Sequence, residues 1–218
     1  MEKLLISLPV LIFSIVCHEV AHGWVARQQG DNTAAMLGRL TLNPIPHIDP
    51  IGSILVPALM ALLPGGMMFG WAKPVPVNPR NFRNFKRGDI LVSLAGVTVN
   101  LILGFLFAAL LAAVQWLSIG VPALAPSWQI LIAMLQYGII INFVLMLFNL
   151  IPIPPLDGSH VFYYLLPPRL GMQYRQMGRY GMLIIFALLY LTGFTFLTVP
   201  LEWMLRAAGF VIQVIGPT

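Results

Sequence analysis

Charge is what this sequence has least of. Only 9% of its 218 residues are Asp, Glu, Lys or Arg, against about 25% in an ordinary soluble domain. A chain so poor in charge cannot cover a water-facing globule. The charges it has are bunched, and residues 4–17, 50–72, 90–156 and 180–201 contain none. A helix needs roughly 20 apolar residues to cross a bilayer, so the uncharged run at 90–156 holds two crossings and a turn. That turn falls in 118–127, at Gly120, Pro122 and Pro126. The runs lack the polar–apolar alternation that a membrane β-barrel requires. Cysteine is nearly absent, and Cys17 alone excludes an intrachain disulfide. Repeats, low-complexity tracts and a second soluble domain are missing as well. The net charge of +5 comes from basic residues in the loops between apolar runs. That placement is a membrane-orientation signal, and it names the lipid bilayer, not nucleic acid, as the partner.

What is present predicts an all-α polytopic membrane protein. The expectation is about five or six membrane helices, a re-entrant hairpin and a small membrane-associated β element, in one domain spanning 1–218. The catalytic core would be about 3–166, followed by C-terminal helices at about 180–215. Helices are expected at about 3–27, 90–116, 128–150, 159–166 and 180–200, with 201–215 as an interfacial helix or part of another crossing. The opening "MEKLLISLPVLIFSIV" imitates a secretory signal, but no small-residue cleavage pattern follows it. Residues 51–68 are apolar but interrupted by Pro57, Pro64, Gly65 and Gly66, which suits a re-entrant hairpin. In "GWAKPVPVNP", Pro74 and Pro76 lack N–H groups on one side of an extended chain, which confines such a strand to a sheet edge. Trp24, Trp71, Trp116, Trp128 and Trp203 fit the aromatic belts of membrane interfaces.

The chemistry is concentrated in "HEVAH", residues 18–22. Positions i and i+4 of a helix lie one turn apart on the same face, so His18 and His22 can reach one Zn²⁺ at about 2.0–2.1 Å. Glu19 is the neighbour that can accept a proton from the attacking water. A pair of buried polar residues bonded to neighbouring helices is the plainer alternative. Three ionisable residues in five at membrane depth favour function. A catalytic zinc site needs a third protein ligand. The best candidate is Asp157 in "NLIPIPPLDG", where Pro152, Pro154 and Pro155 break the preceding helix. A helix N-cap is the competing role for that aspartate.

These two segments together resemble the site-2 protease family of intramembrane zinc metalloproteases. "HEVAH" is similar to that family's zinc-binding helix, and "NLIPIPPLDG" to its N-x-x-P-x-x-x-L-D-G motif. The resemblance covers roughly residues 10–166. It points to the compact bacterial and archaeal branch, which lacks PDZ and CBS domains. It implies His18, His22 and Asp157 as ligands of one Zn²⁺ per chain and Glu19 as general base. "SLAGVTVN", residues 93–100, resembles the family's middle motif, with Val97 where proline is common. That match implies Asn100 as an oxyanion stabiliser, with an interhelical hydrogen bond as the alternative. "GWAKPVPVNP" resembles the family's membrane-embedded β-loop. An extended substrate could add to its free edge, which makes Lys73, Val75, Val77 and Asn149 the candidate substrate-binding residues.

For one ion to take ligands from both segments, an even number of crossings must separate His22 from Asp157. The helices at 90–116 and 128–150 supply two. Arg27, Arg39, Lys73, Arg80, Arg83, Lys86, Arg87, Arg169, Arg175 and Arg179 then lie on one side, and the loop at 117–127 holds no charge. The positive-inside rule puts that side in the cytosol of a prokaryotic cell, with the site in the inner membrane near its cytoplasmic face. Lys3 votes the other way.

The expected activity is hydrolysis of a peptide bond in or near a transmembrane helix of a substrate protein. The resemblance implies substrates such as membrane-bound transcription regulators, anti-sigma factors or signal-peptide remnants. A membrane metal-ion transporter and an inactive scaffold are the rival readings, and Glu19→Gln separates them from the protease. His160, three residues after Asp157, could share its face and support it, but reads more simply as a helix-interface or solvent-facing histidine; His47 and Asp49 could form a competing metal pair, but turn chemistry explains Asp49 more simply; and Cys17 reads as packing.

Overall fold

The computed structural model describes residues 2–55, 72–121, 125–193 and 195–217. Within them every regular element is helical. The α-helices are α1 (Glu2–Gln29), α2 (Thr33–Met36), α3 (Phe85–Gly120), α4 (Ala125–Asn149), α5 (Asp157–Tyr163), α6 (Pro168–Met177), α7 (Gly181–Thr192) and α8 (Thr198–Ile215), with short 3-10 and π turns between them. Among the described residues four segments are long and apolar enough to cross a membrane: Leu5–Gln29, Phe85–Gly120, Ala125–Asn149 and Thr195–Ile215. The hairpin expected over 51–68 falls largely on 56–71, outside the described residues, as does Trp71.

The C-terminal region differs from the expected single helix at 180–200. Gly193 adopts a positive φ of 58°, which breaks the helix there. The 12 residues of α7 reach only about 18 Å at 1.5 Å per residue, short of a roughly 30 Å hydrocarbon core. Residues 201–215 instead belong to α8, which packs on α3 and α4.

Helix direction follows from who meets whom. His18 meets Asn100 and His22 meets Val92, so α3 runs against α1. Gly104 meets the Phe143 ring and Gly138 meets the Phe107 ring, so α4 runs against α3. Small residues at these crossings let the helices approach closely, the usual packing device in lipid. Ala108, Leu111, Leu135, Ile139, Phe143 and Ala208 form the buried core beside them. Two reversals therefore return the chain, after α4, to the depth of His22.

Residues 72–78 form no strand. Lys73 N–H donates to the His47 carbonyl at 2.9 Å, and Val75 N–H donates to Glu19 Oε2 at 2.7 Å. The edge that Pro74 and Pro76 leave open is thus satisfied inside the chain, and no ladder forms among the described residues. Two buried charges hold the segment. Arg39 donates to the carbonyls of Lys73 and Pro74 at 2.9 and 3.3 Å. Asp31, fully buried, accepts from Thr33, from Asn78 N–H at 2.7 Å and from Asn81 at 2.8 Å. Burial alone would push the Asp31 carboxyl up, but these donors hold it below its ordinary value.

Candidate metal centre

The two imidazoles of α1 sit one turn apart, with ring centroids 4.6 Å from each other. Each is fixed by α3. His18 Nδ1 lies 3.2 Å from Asn100 Oδ1, and His22 Nδ1 lies 2.7 Å from the Val92 carbonyl. Both partners are oxygen acceptors, so both histidines carry their proton on Nδ1 and present Nε2 as a bare lone pair. The third group arrives on α5. Pro152, Pro154 and Pro155 end the helical pattern after Asn149, and α5 begins at Asp157. Leu156, not Asp157, holds the N-cap position, and no side-chain cap bond is made. The aspartate is therefore free for another task.

Its carboxylate meets the imidazoles. Asp157 Oδ2 lies 3.2 Å from His18 Nε2 and 3.4 Å from His22 Nε2, and the two Nε2 atoms are 3.0 Å apart. Three acceptor atoms facing one another repel unless a cation lies between them. Four ligands arranged tetrahedrally at about 2.0–2.1 Å stand about 3.3 Å apart, close to these separations. Asp157 Oδ2 is buried and has no hydrogen-bond partner, the signature of an atom kept for a metal. The residues present fit a zinc ion, and no other His, Cys, Asp or Glu cluster among the described residues does.

One stripe of α3 supports this centre. Asp89, Val92, Gly96 and Asn100 lie at helical spacing along it. A Cβ at Gly96 would come within 2.5 Å of His18 Cε1 and 2.6 Å of both Nε2 atoms, so only glycine lets α3 pack against the ligand atoms. Asp89, only 5% exposed, reaches α5: His160 Nδ1 lies 3.1 Å from its Oδ1, and Tyr164 donates to its Oδ2 at 2.8 Å. Burial and this carboxylate keep the Tyr164 phenol protonated, well above its ordinary pKa. Arg175 of α6 stands 3.8 Å from the same oxygen. Asp157 and His160 share a face of α5, and Tyr164 caps its C-terminal end, so Asp89 fixes the helix that carries the third candidate ligand. Gly158 closes the arrangement, because a Cβ there would lie 2.2 Å from the Leu150 carbonyl oxygen.

These ligands open onto a cavity of about 300 Å³ whose wall includes Glu19, Val75, Val77, Ser93, Asn149 and His160. A larger surface hollow, about 390 Å³, is lined by Asn84, Lys86, Arg87, Ile90 and Leu91 and carries no imidazole or carboxylate. Among the candidates for substrate contact, Val75, Val77 and Asn149 therefore face the site, whereas Lys73 is exposed away from it. Asn100 is fully buried behind His18, with Nδ2 unpaired. Asp49 accepts from Ile51 and Gly52 N–H groups as a turn residue, and His47 bonds the Thr41 carbonyl, so neither joins the metal cluster. The sequence reading passed over Asp89 and Gly96. Their spacing of eleven and four residues ahead of Asn100 was the available signal.

Comparison with known proteins adds to this geometry. Residues 113–192 match the family model described as Peptidase family M50, a stretch that includes Asp157 but not the α1 histidines. The chain is 43% identical over 182 residues to the Bacillus subtilis protein named "Putative zinc metalloprotease YwhC", an alignment covering 84% of this chain and 78% of that protein. It is 36% identical over 147 residues to Rip2 of Mycobacterium tuberculosis, named in the same terms, covering 67% of this chain and 52% of Rip2. With Rip2 of Mycolicibacterium smegmatis it shares 34% identity over 179 residues, 82% of this chain and 64% of that one. The chain thus spans about half to two thirds of the Rip2 proteins. No solved structure matches it.

Proposed function

This chain belongs to peptidase family M50, and we propose that His18, His22 and Asp157 hold the single zinc ion of its hydrolytic site, with Glu19 as general base. It is an integral membrane protein and a zinc metalloprotease. The observation that carries the site assignment is the convergence of two imidazoles, each with Nδ1 against an oxygen acceptor, and a buried carboxylate oxygen, with Nε2 and Oδ2 atoms within 3.4 Å of one another. When bound, zinc supplies a Lewis acid that polarises a carbonyl and makes hydroxide accessible near neutral pH.

The rest falls to the chain's own groups. Asn100 and the Val92 carbonyl hold the imidazoles in the liganding tautomer. Glu19, on the cavity wall, takes the proton of the attacking water and returns it to the departing amine. In the state described here its Oε2 accepts from Val75 N–H, so the segment at 72–79 keeps the base aimed into the cavity. The substrate is a transmembrane protein whose scissile bond is drawn out of its helix, since an intrahelical carbonyl is already hydrogen-bonded. Val75, Val77 and Asn149 contact it. The basic residues expected on the same side as the site support a position near the cytoplasmic face of a prokaryotic inner membrane. Residues 1–218 act as one membrane-embedded protease domain.

The test is Glu19→Gln. The purified variant should retain one zinc per chain and lose cleavage of a model membrane helix that the wild type cuts. A variant that binds zinc and still cleaves removes Glu19 from the mechanism, and a wild type that binds no zinc removes the metal assignment.

A further inference from the structure

Helix α8 belongs to one of the segments apolar enough to cross a membrane, and one of its faces is accounted for. Leu205, Ala208 and Ile212 join the core built by α3 and α4. The polar residues lie elsewhere. Glu202, Arg206, Gly209 and Gln213 follow one another at steps of four, three and four, so they form a single stripe along the helix. The Glu202 and Arg206 side chains are 64% and 78% exposed, and Gln213 is exposed as well. A Cβ at Gly209 would meet nothing within 4 Å.

For a membrane-crossing helix this stripe stands at a costly depth. Trp116 Nε1, near the end of α3, donates to the Ile215 carbonyl at 2.7 Å. That bond aligns the C-terminal end of α8 with the interface that tryptophan marks. Counted inward from Ile215 at 1.5 Å per residue, Arg206 lies about 14 Å deep and Glu202 about 20 Å. The middle of a roughly 30 Å hydrocarbon core falls between them. Ionisable side chains at that depth face protein or a wet cavity, not lipid tails. The ion pair between the two, at 3.8 Å, balances their charge but leaves most of both groups uncovered.

We propose that the Glu202–Arg206–Gly209–Gln213 stripe of α8 is an interface for a second copy of this chain, packed helix against helix in the bilayer. The argument is self-complementarity. A two-fold axis along the membrane normal presents the same stripe from both sides. Glu202 of each copy then meets Arg206 of the other, and the four charges sum to zero. Gln213 carries both donors and an acceptor, so it bonds its own image across the axis. Gly209, open on this face, lets the two backbones approach as small residues do between helices in lipid. Any other membrane helix would have to bring an acid, a base and an amide at matching heights, and this chain already supplies all three.

Sedimentation equilibrium of the full chain in density-matched micelles, over a range of protein-to-detergent ratios, reads the association. The wild type should reach twice its 24.1 kDa chain mass. Glu202→Arg makes the stripe all basic, and Arg206→Glu makes it all acidic. Each variant alone should raise the dimer Kd about tenfold or more, because like charges then face each other. The two variants mixed in equal amounts should return to the wild-type Kd, and that recovery also shows that both fold. Gly209→Ile, for which a single chain has room, should lose the dimer with no drop in its thermal melt. A wild type that stays at the monomer mass throughout overturns the proposal and hands the stripe to a different membrane protein. Single variants that dimerise as tightly as the wild type, or a mixture that stays dissociated, overturn it equally.

Discussion

The imidazole half of the metal centre and its carboxylate half are held in different ways. His18 and His22 sit on one continuous helix, four residues apart, and α3 bonds each of them directly through Asn100 and Val92. Asp157 reaches the same point only after two crossings, a proline break and a new helix start. Its support is indirect: Asp89 holds His160 and Tyr164, and they hold the helix. The first half is fixed by local spacing, the second by tertiary packing. Damage to each half should therefore look different.

Two glycines give the sharpest contrast and the largest effects. Gly158→Ala would set a methyl 2.2 Å from the Leu150 carbonyl oxygen, and two backbones cannot both stay in place. It should displace α5, remove Asp157 from the centre and abolish zinc retention and cleavage together. Gly96→Ala would press on the ring atoms of His18 and His22 at 2.5–2.6 Å. Side chains can yield where backbone cannot, so this variant should fold, keep weak zinc and lose activity. Zinc analysis beside a thermal melt distinguishes them. If Gly158→Ala kept stoichiometric zinc, the carboxylate half would not depend on packing as described.

Next come the polar supports. Asn100→Ala removes a direct partner of a ligand and should weaken zinc binding about 10- to 100-fold, the usual cost of an outer-shell partner. Asp89→Asn acts at one remove and should cost less than about tenfold. Competition with a metallochromic chelator measures both. A larger loss from Asp89→Asn would invert the comparison and make the indirect tether the dominant support.

This contrast also explains what was legible beforehand. "HEVAH" carries its geometry in its spacing, so the imidazole half could be read from five letters. Asp157 was visible as a lone acid after a long uncharged run, yet its position beside the imidazoles rested on counting crossings, and α3 and α4 supply the two required. The three long helices were found within a few residues of their ends, because apolar length alone specifies them. The break at Gly193 was missed because both sides of it are equally apolar. The role of Asp89 was hidden for a different reason. It stands just ahead of the uncharged run at 90–156, and nothing local says that its partners are 71 and 75 residues away. The segment at 72–78 read as a free edge because prolines reveal which N–H groups are missing, not where the remaining ones go.

The smallest expected effect concerns that segment, which touches neither half directly but steadies Glu19 through Val75. Asp31 anchors its far end with bonds from Thr33, Asn78 and Asn81. These donors favour the charged carboxylate and depress its folded-state pKa. A depressed carboxylate stabilises the fold above its unfolded pKa of about 3.9, and the contribution is lost as pH falls through the lower folded value. Asp31→Asn should therefore cost about 1–3 kcal/mol near neutral pH, where the buried partners lose their charged acceptor. The gap between variant and wild type should shrink progressively below about pH 4. Thermal melts of both proteins at pH 7 and pH 3 measure it, and zinc content at pH 7 should be equal. A gap that stays constant across that range would mean that Asp31 acts through packing alone, and that the segment steadying Glu19 owes nothing to its charge.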